Sequence, residues 1–536
     1  MNIMRNSIFS FLLSLCISSC NTPKDKEKKC TAQSIKINIC NEPQTLDPRK
    51  ARSLNDVNLT KTLMEGMTRL GKDGKVELAL AEKIAISEDL QTYTIFLRQA
   101  QWSNGDPITA ADFLYSWKQS LSPTFPSSNA FQLYIIKNAE AIKRNQLPMS
   151  LLGVNSIDSH TIEIKLEHPA PYFLELLSLP IFFPIHAQRD REDATWAEKP
   201  TAFLNNGPFS LSDWRSKDCI TVKKNPLYWN ANNVKLEQIE MIMVGEDIAL
   251  QMFENKELDW IGSPFSSLPT DAIEHLKKAK LFSTSLLFGT HWIRINTNSY
   301  PLHMEKLRKA FASAINRKDI VQHIVQGDQT PALSLLPPMN NFFPSCYFSD
   351  GDAKNSKALW QECVDQYDIS LHSFPSITLL YSATERNHII AQAIQSQWKN
   401  VFPFPIILEP AEPKIVFDRV ARGDFQLAMG SWIADFEDPV NFLEIFKSKT
   451  NGTNNTGWED PVYIELLTKS YIEKDEHQRL SLLQECEKVI MNAMPVIPIF
   501  YYTMNYLKKD CLQGVIINGL GSIDFRQAYL TQEEKK

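Results

Sequence analysis

Across 536 residues there is no CxxC pair, no HExxH helix, no nucleophile elbow, no phosphate-binding loop and no complete GxGxxG. The first absence argues against a structural zinc site, and the others leave no motif for a metalloprotease, a serine hydrolase or a nucleotide-binding fold. Gly519 and Gly521 flank a single leucine, but the third glycine is missing, so this stretch reads as a turn. The ten histidines are scattered without an i, i+4 pair. His291 beside Trp292 is the most interesting of them, although a lone histidine is usually structural. Serine, histidine and aspartate are dispersed enough that a triad is not excluded, yet nothing argues for one.

Basic runs interleaved with aromatics are also lacking. Formal net charge is −6, and removing residues 1–19, with one arginine and no acid, makes it −7. That balance argues against a nucleic-acid partner. No internal repeat is evident, and no cofactor is implied.

A membrane-spanning run is missing as well. The apolar residues 8–15 are too few and are followed by serines. With Arg5 ahead of them and Ile17, Ser18, Ser19 and Cys20 behind, residues 1–19 read as an export signal. The ending resembles the bacterial lipobox, whose cysteine is acylated and becomes the first mature residue. An ordinary secretory signal with an incidental Cys20 thiol is the alternative; the two serines directly before Cys20 favour the lipoprotein. Each acyl chain adds roughly 0.8 kcal/mol per buried methylene, enough in a multiply acylated Cys20 to hold the protein on a membrane. Residues 20–33 then form a tether: 21–29 carry six charges and Pro23, with no apolar residue to pack. After removal of Cys16 and lipidation of Cys20, seven cysteines remain, an odd number, and no pairing is singled out.

What is present is an ordinary globular composition, 43% hydrophobic and 22% charged, in a chain long enough for two or three lobes. Alternating apolar residues predict strands at 35–39, 92–98 and 161–166, and 220–229 reads as a further strand running into a turn. Residues 57–67 read as a helix stopping at Gly66. Thr109 and Asp112 have capping-box spacing before a helix with Phe113 and Trp117 on one face. Leu307, Ala310, Phe311, Ala314 and Ile315 predict an amphipathic helix over 305–316. Four prolines between 330 and 346 predict a long irregular crossing. Strands at 376–381 and 406–409 flank a helix near 389–398, the β-α-β order of an α/β lobe, and 495–502 reads as the last strand.

One stretch gathers potential chemistry. Residues 427–433 form an apolar strand that runs into Asp435, Glu437, Asp438 and Pro439. A carboxylate just past a buried strand, beside Trp432, could be held partly desolvated and bind a cation strongly. Taken alone, capping of a helix beginning near Val440 explains these acids better.

Several segments together resemble one family, the extracytoplasmic solute-binding proteins of peptide-importing ABC transporters. They are residues 46–48 (LDP), 63–66 (LMEG), 80–82 (LAE), 93–98, 102–113 (WSNGDPITAADF), 171–173 (PYF), 206–209 (NGPF), 225–229 (NPLYW), 307–315 and 432–439 (WIADFEDP). Each is weak alone; their order spans nearly the whole mature chain. The resemblance implies an α/β two-lobe clamp of the type II-like periplasmic-binding-protein kind with an extra third domain. By analogy, 34–69, 186–290 and 507–536 form a discontinuous lobe I, 70–185 the extra domain and 291–506 lobe II.

It further implies an extended peptide held between lobes by main-chain hydrogen bonds, with a buried aspartate taking the α-ammonium. Asp435 matches that position, and Trp432 would wall the same pocket. Asp56, Asn58 and Phe131 fall near stretches that contact peptide in relatives. Some relatives carry, three residues before the tryptophan, a basic residue that helps hold the ligand carboxylate. Here that place is Met429, and Arg419 and Arg422 are only near it in sequence. The expected protein is therefore a monomeric, lipid-anchored receptor on the periplasmic face of the cell envelope, passing short peptides to an ABC permease. A carrier of nickel chelate, haem or glutathione is the rival within the fold, and a secreted hydrolase or peptidoglycan-sensing lipoprotein the rival outside it.

Overall fold

The computed structural model describes residues 33–531, apart from 73, 128, 340–341, 371, 373 and 450–451. The export signal, Cys20 and nearly all of the tether lie outside the described residues.

A single eleven-stranded sheet runs through the molecule. Its first half is Phe209–Arg215, Cys219–Lys224, Gln238–Ile242, Ser34–Asn38 and Trp260–Gly262. Its second half is Leu427–Ile433, Ile377–Ser382 and Ile406–Ala411, with the last two parallel. Two antiparallel strands of 13 residues each, Ser283–Ile295 and Val496–Lys508, join the halves. Val496–Lys508 pairs with Trp260–Gly262 near one end, and Ser283–Ile295 pairs with Leu427–Ile433 near the other. Their mutual register slips between Leu286 and Thr290. Ladder hydrogen bonds are interrupted there, so this is where bending costs least.

A separate four-stranded antiparallel sheet, Ala81–Ile86, Thr92–Leu97, Thr161–Lys165 and Val154–Asp158, packs beside the helix Ala110–Leu121. The capping box is present: the Asp112 carboxylate accepts the Thr109 backbone N–H at 2.8 Å. Phe113 and Trp117 are fully buried, edge to face at 6.0 Å.

Several sequence expectations shift. The first helix is Leu54–Leu63, started by Ser53 and Asp56, so it begins and ends earlier than the apolar pattern suggests. The predicted amphipathic helix is Glu305–Ser313, and the one between the parallel strands is Glu385–Lys399. The apolar 495–502 segment is not the last strand. It continues to Lys508, and four two-residue strands follow, pairing Leu512–Gln513 with Tyr529–Leu530 and Ile516–Ile517 with Ile523–Asp524. Gly521, at φ +72°, makes the turn of the latter pair. The proline-rich crossing is irregular apart from Thr330–Pro331 and a bridge between Met339 and Phe342. It is anchored by fully buried Glu487, whose carboxylate accepts the Leu336 N–H at 2.8 Å, the Ser334 hydroxyl and the Tyr347 hydroxyl. Cys40, Cys219, Cys346, Cys363 and Cys486 are unbridged. Among the described residues no helix is long and apolar enough to cross a membrane, and no cluster of metal-ligating side chains occurs.

Candidate ligand site

The strand Leu427–Ile433 is buried through Met429 and then surfaces: Gly430, Trp432 and Ile433 are half-buried and Ser431 is exposed. Its last residues are thus free to meet something else. The chain beyond is pinned at two points. Ala434 N–H donates to the Phe288 carbonyl at 2.8 Å, and Asn441 Oδ1 accepts both the Trp432 indole N–H at 2.7 Å and the Asp435 backbone N–H at 3.3 Å. Phe436 stacks on Tyr172 of the antiparallel domain, with ring centroids 4.6 Å apart. Glu437 N–H donates to Glu175 Oε2 at 2.8 Å.

Asp435 is where three parts of the chain meet. Its carboxyl is pushed up to about 6 by burial, opposed by a hydrogen bond from the Gln132 side chain and by the charge of Lys61. Gln132 belongs to the 3-10 helix Ala130–Ile135 and Lys61 to the helix Leu54–Leu63. Burial pushes the Lys61 ammonium down to about 8, with Asp524 and then Asp435 opposing. An acid that titrates near neutrality because it lacks solvent, with only one partly shared cation nearby, has affinity left over for another.

Asp438, three residues on, is differently occupied. Arg479 binds it through both oxygens, at 2.7 and 2.9 Å, and Asp438 Oδ1 also accepts the Val440 N–H at 2.9 Å. The capping role expected for Asp438 is present, together with a buried ion pair that the sequence did not show. A cavity of about 540 Å³ opens beside Glu437, lined by Tyr172, Glu175, Met339, Phe342 and Arg479 among others. Burial raises the Glu175 carboxyl to about 7, with Asp438 and Glu437 adding to the rise.

The other sequence candidates sit on the elements that reach Asp435, but with their side chains engaged elsewhere. Asp56 accepts the backbone N–H groups of Gln44 and Ser53 at 2.8 and 3.2 Å. Asn58 ties the first helix to the C-terminal tail, donating to the Gly521 carbonyl and accepting the Ile523 N–H, each at 2.9 Å. Phe131 is 46% exposed, whereas its neighbour Gln132 is the residue that reaches Asp435. Met429 is buried and paired with Ile293. Arg419 is held by Glu409 at 2.7 Å, and Arg422 donates to the Asp418 carbonyl of its own helix end. His291 is buried, stacked on Phe500 and bonded through Nδ1 to the Tyr502 hydroxyl at 3.0 Å. Burial drives its imidazole down to about 4, so it is neutral.

A family model described as "Bacterial extracellular solute-binding proteins, family 5 Middle" matches residues 75–454, more than half of the chain. The chain belongs to this solute-binding family. Family 5 is a receptor family rather than an enzymatic one. The oligopeptide-binding protein OppA of Bacillus subtilis is 36% identical over 534 residues, covering 97% of both chains. The dipeptide-binding protein DppE of the same organism is 31% identical, covering 94% of this chain and 93% of its own. The structure of the Escherichia coli murein tripeptide binding protein MppA superposes with a TM-score of 0.81 at 26% identity, over 94% of this chain and 99% of its own. The α/β architecture is therefore the multi-domain clamp of these extracytoplasmic binding proteins.

Lys61, Gln132 and Asn441 are the residues around Asp435 that sequence reading missed. Lys61 was readable only as one of the chain's many lysines, the single one on its helix. Asn441, six residues past Asp435, was the one within reach of local reasoning.

Proposed function

We propose that this protein is a lipid-anchored receptor of the cell envelope that captures short oligopeptides between its lobes and delivers them to an ABC permease. Lobe I would comprise 34–69, 186–290 and 507–536, the extra domain 70–185, and lobe II 291–506. The observation that carries the reading is the carboxyl of Asp435, desolvated where the three parts meet. A peptide α-ammonium placed there supplies the full positive charge that Lys61, shared with Asp524, supplies only in part. Such a pairing adds about 3–5 kcal/mol of discrimination against a ligand lacking the amine, much of it the cost of leaving a buried charge unpaired. Beyond Ala428 the strand Leu427–Ile433 is paired along one edge only, and its other edge offers main-chain hydrogen bonds that do not depend on side-chain identity.

The test is mass spectrometry of ligand released from the purified protein, followed by calorimetry with tri-alanine and N-acetyl-tri-alanine. Short peptides are expected in the extract, and acetylation is expected to weaken binding at least 100-fold. Equal binding of the two forms sinks the role of Asp435.

A further inference from the structure

The loop that carries Asp435 is held from outside its own half of the molecule. The two residues after Asp435 both turn to the short helix Phe173–Leu176 and the tyrosine before it. Phe436 lies flat on Tyr172, with 10° between the ring planes, and the Glu437 backbone N–H donates to Glu175 Oε2 at 2.8 Å. Asp435 itself receives the Gln132 side chain. A second patch of contact lies nearby: His168 stacks on Tyr471 with ring centroids 4.5 Å apart, and Lys474 Nζ donates to the Glu88 carbonyl at 2.7 Å. Residues 88, 132, 168, 172 and 175 all fall within 70–185, and every partner falls within 291–506.

These contacts are docked rather than fused. Cavities of about 540 and 500 Å³ lie beside them, each lined from both sides. The first has Tyr172 and Glu175 on one side and Glu437 and Arg479 on the other; the second has Gly74 against Met339 and Glu437. Protein interiors are close-packed, so two surfaces that touch at separate points around such spaces can part. The rest of the loop is anchored within its own half, through Asp438 to Arg479 and through Asn441 to the Asp435 backbone. Between Ile433 and Val440 the chain is neither strand nor helix. Withdrawing the docked surface therefore leaves the Phe436 ring and the Glu437 N–H to solvent and removes half of what fixes Asp435.

We propose that the extra domain completes the ammonium site: docking of Tyr172 and Glu175 onto Phe436 and Glu437, as the clamp closes, orients the Asp435 carboxylate for the ligand's amine. Tyr172 and Glu175 are positioning residues that act through this loop and not on the ligand. This rests on the peptide-receptor reading and the lobe boundaries given above. Contacts made only in the closed complex act on dissociation and leave the encounter with the open clamp unchanged. Because they act through the carboxylate, their loss falls on free-amine peptides and spares those without an amine.

The experiment is calorimetry and stopped-flow tryptophan fluorescence on the full mature protein, with tri-alanine and N-acetyl-tri-alanine as probes. Glu175→Ala removes the acceptor for Glu437, and Tyr172→Leu removes the stacked ring while keeping an apolar side chain. Each is expected to raise the tri-alanine dissociation rate about tenfold, with association within about twofold of wild type. Each should also shrink the roughly 100-fold preference for the free amine to about tenfold or less, the acetylated peptide changing by less than about threefold. Glu175→Gln and Tyr172→Phe, which keep the acceptor and the ring, should restore both readouts. Equal loss of affinity for the two peptides marks a merely structural role and overturns the assignment. Wild-type kinetics in Glu175→Ala overturns it too, and that variant carries the test alone should Tyr172→Leu not fold. A wild type that binds both peptides equally well overturns the role of Asp435 and this assignment with it, whereas a wild type that binds neither overturns the receptor reading.

Discussion

Asn441 Oδ1 accepts the indole N–H of Trp432 at 2.7 Å. Because the same oxygen also receives the Asp435 backbone N–H, one buried amide positions both the Trp432 indole and the Asp435 main chain. Asn441→Ala is predicted to leave two donors unsatisfied, costing about 1–3 kcal/mol of stability. It should also weaken tri-alanine binding by roughly tenfold through loss of positioning. Calorimetry alongside urea unfolding checks both. Unchanged affinity would show that the turn holds itself without Asn441.

Asp435→Asn separates stability from function. In the folded protein the Asp435 carboxyl is held at about 6 rather than the ordinary 3.8, so it binds a proton more tightly folded than unfolded. Its contribution to stability is present below 3.8 and is lost as pH rises through about 6. At pH 7.5 the neutral asparagine is therefore predicted to stabilise the unliganded protein by about 1–2 kcal/mol while reducing free-amine peptide affinity about 100-fold. A loss of stability in urea unfolding would contradict the desolvated, under-compensated state of this half-buried acid.

The same carboxyl predicts a pH dependence of binding. A peptide ammonium needs the ionised acid, so wild-type affinity for tri-alanine should fall as pH drops through about 6, approaching tenfold per pH unit below it. Binding should release protons, measurable as a buffer-dependent enthalpy. A flat affinity between pH 5 and 7 would place the amine elsewhere.

Arg479 and Asp438 form a buried pair whose loss should be mainly structural. Arg479→Met leaves Asp438 uncompensated beside Glu175 and is predicted to cost about 3–5 kcal/mol. Adding Asp438→Leu should recover part of that cost. If the double variant is no more stable than Arg479→Met alone, the deficit is one of packing rather than of charge.

Glu487 anchors the proline-rich crossing with a carboxyl raised by burial from 4.5 to about 7. Its stability contribution is present below about 4.5 and is lost as pH rises through about 7. Glu487→Gln keeps an acceptor for Ser334 and Leu336 without that titration. Relative to wild type it should gain about 1–2 kcal/mol between pH 5 and pH 8, read from urea midpoints at the two values.

Elements with strong local signals were legible. The Thr109–Asp112 capping box is one; the strand ending in Ile433 and the turn at Gly521 are others, each decided by residues within a few positions of one another. Boundaries moved where a local cap outranked apolar periodicity, as Ser53 with Asp56 did for the first helix. The C-terminal strands escaped notice because two-residue pairings carry no period to read.

The sequence by itself determined that an acid follows a buried strand and a tryptophan, and that the place three residues before that tryptophan is apolar. Strand alternation then already fixes which neighbours share a face. Only the tertiary structure decided what surrounds that acid. Lys61 and Gln132 reach Asp435 from distant segments, and Arg294 reaches Gly430 from the neighbouring strand. Charges interact through space rather than along the chain, so desolvation and shared counter-charge exist only once the fold has excluded the water between them.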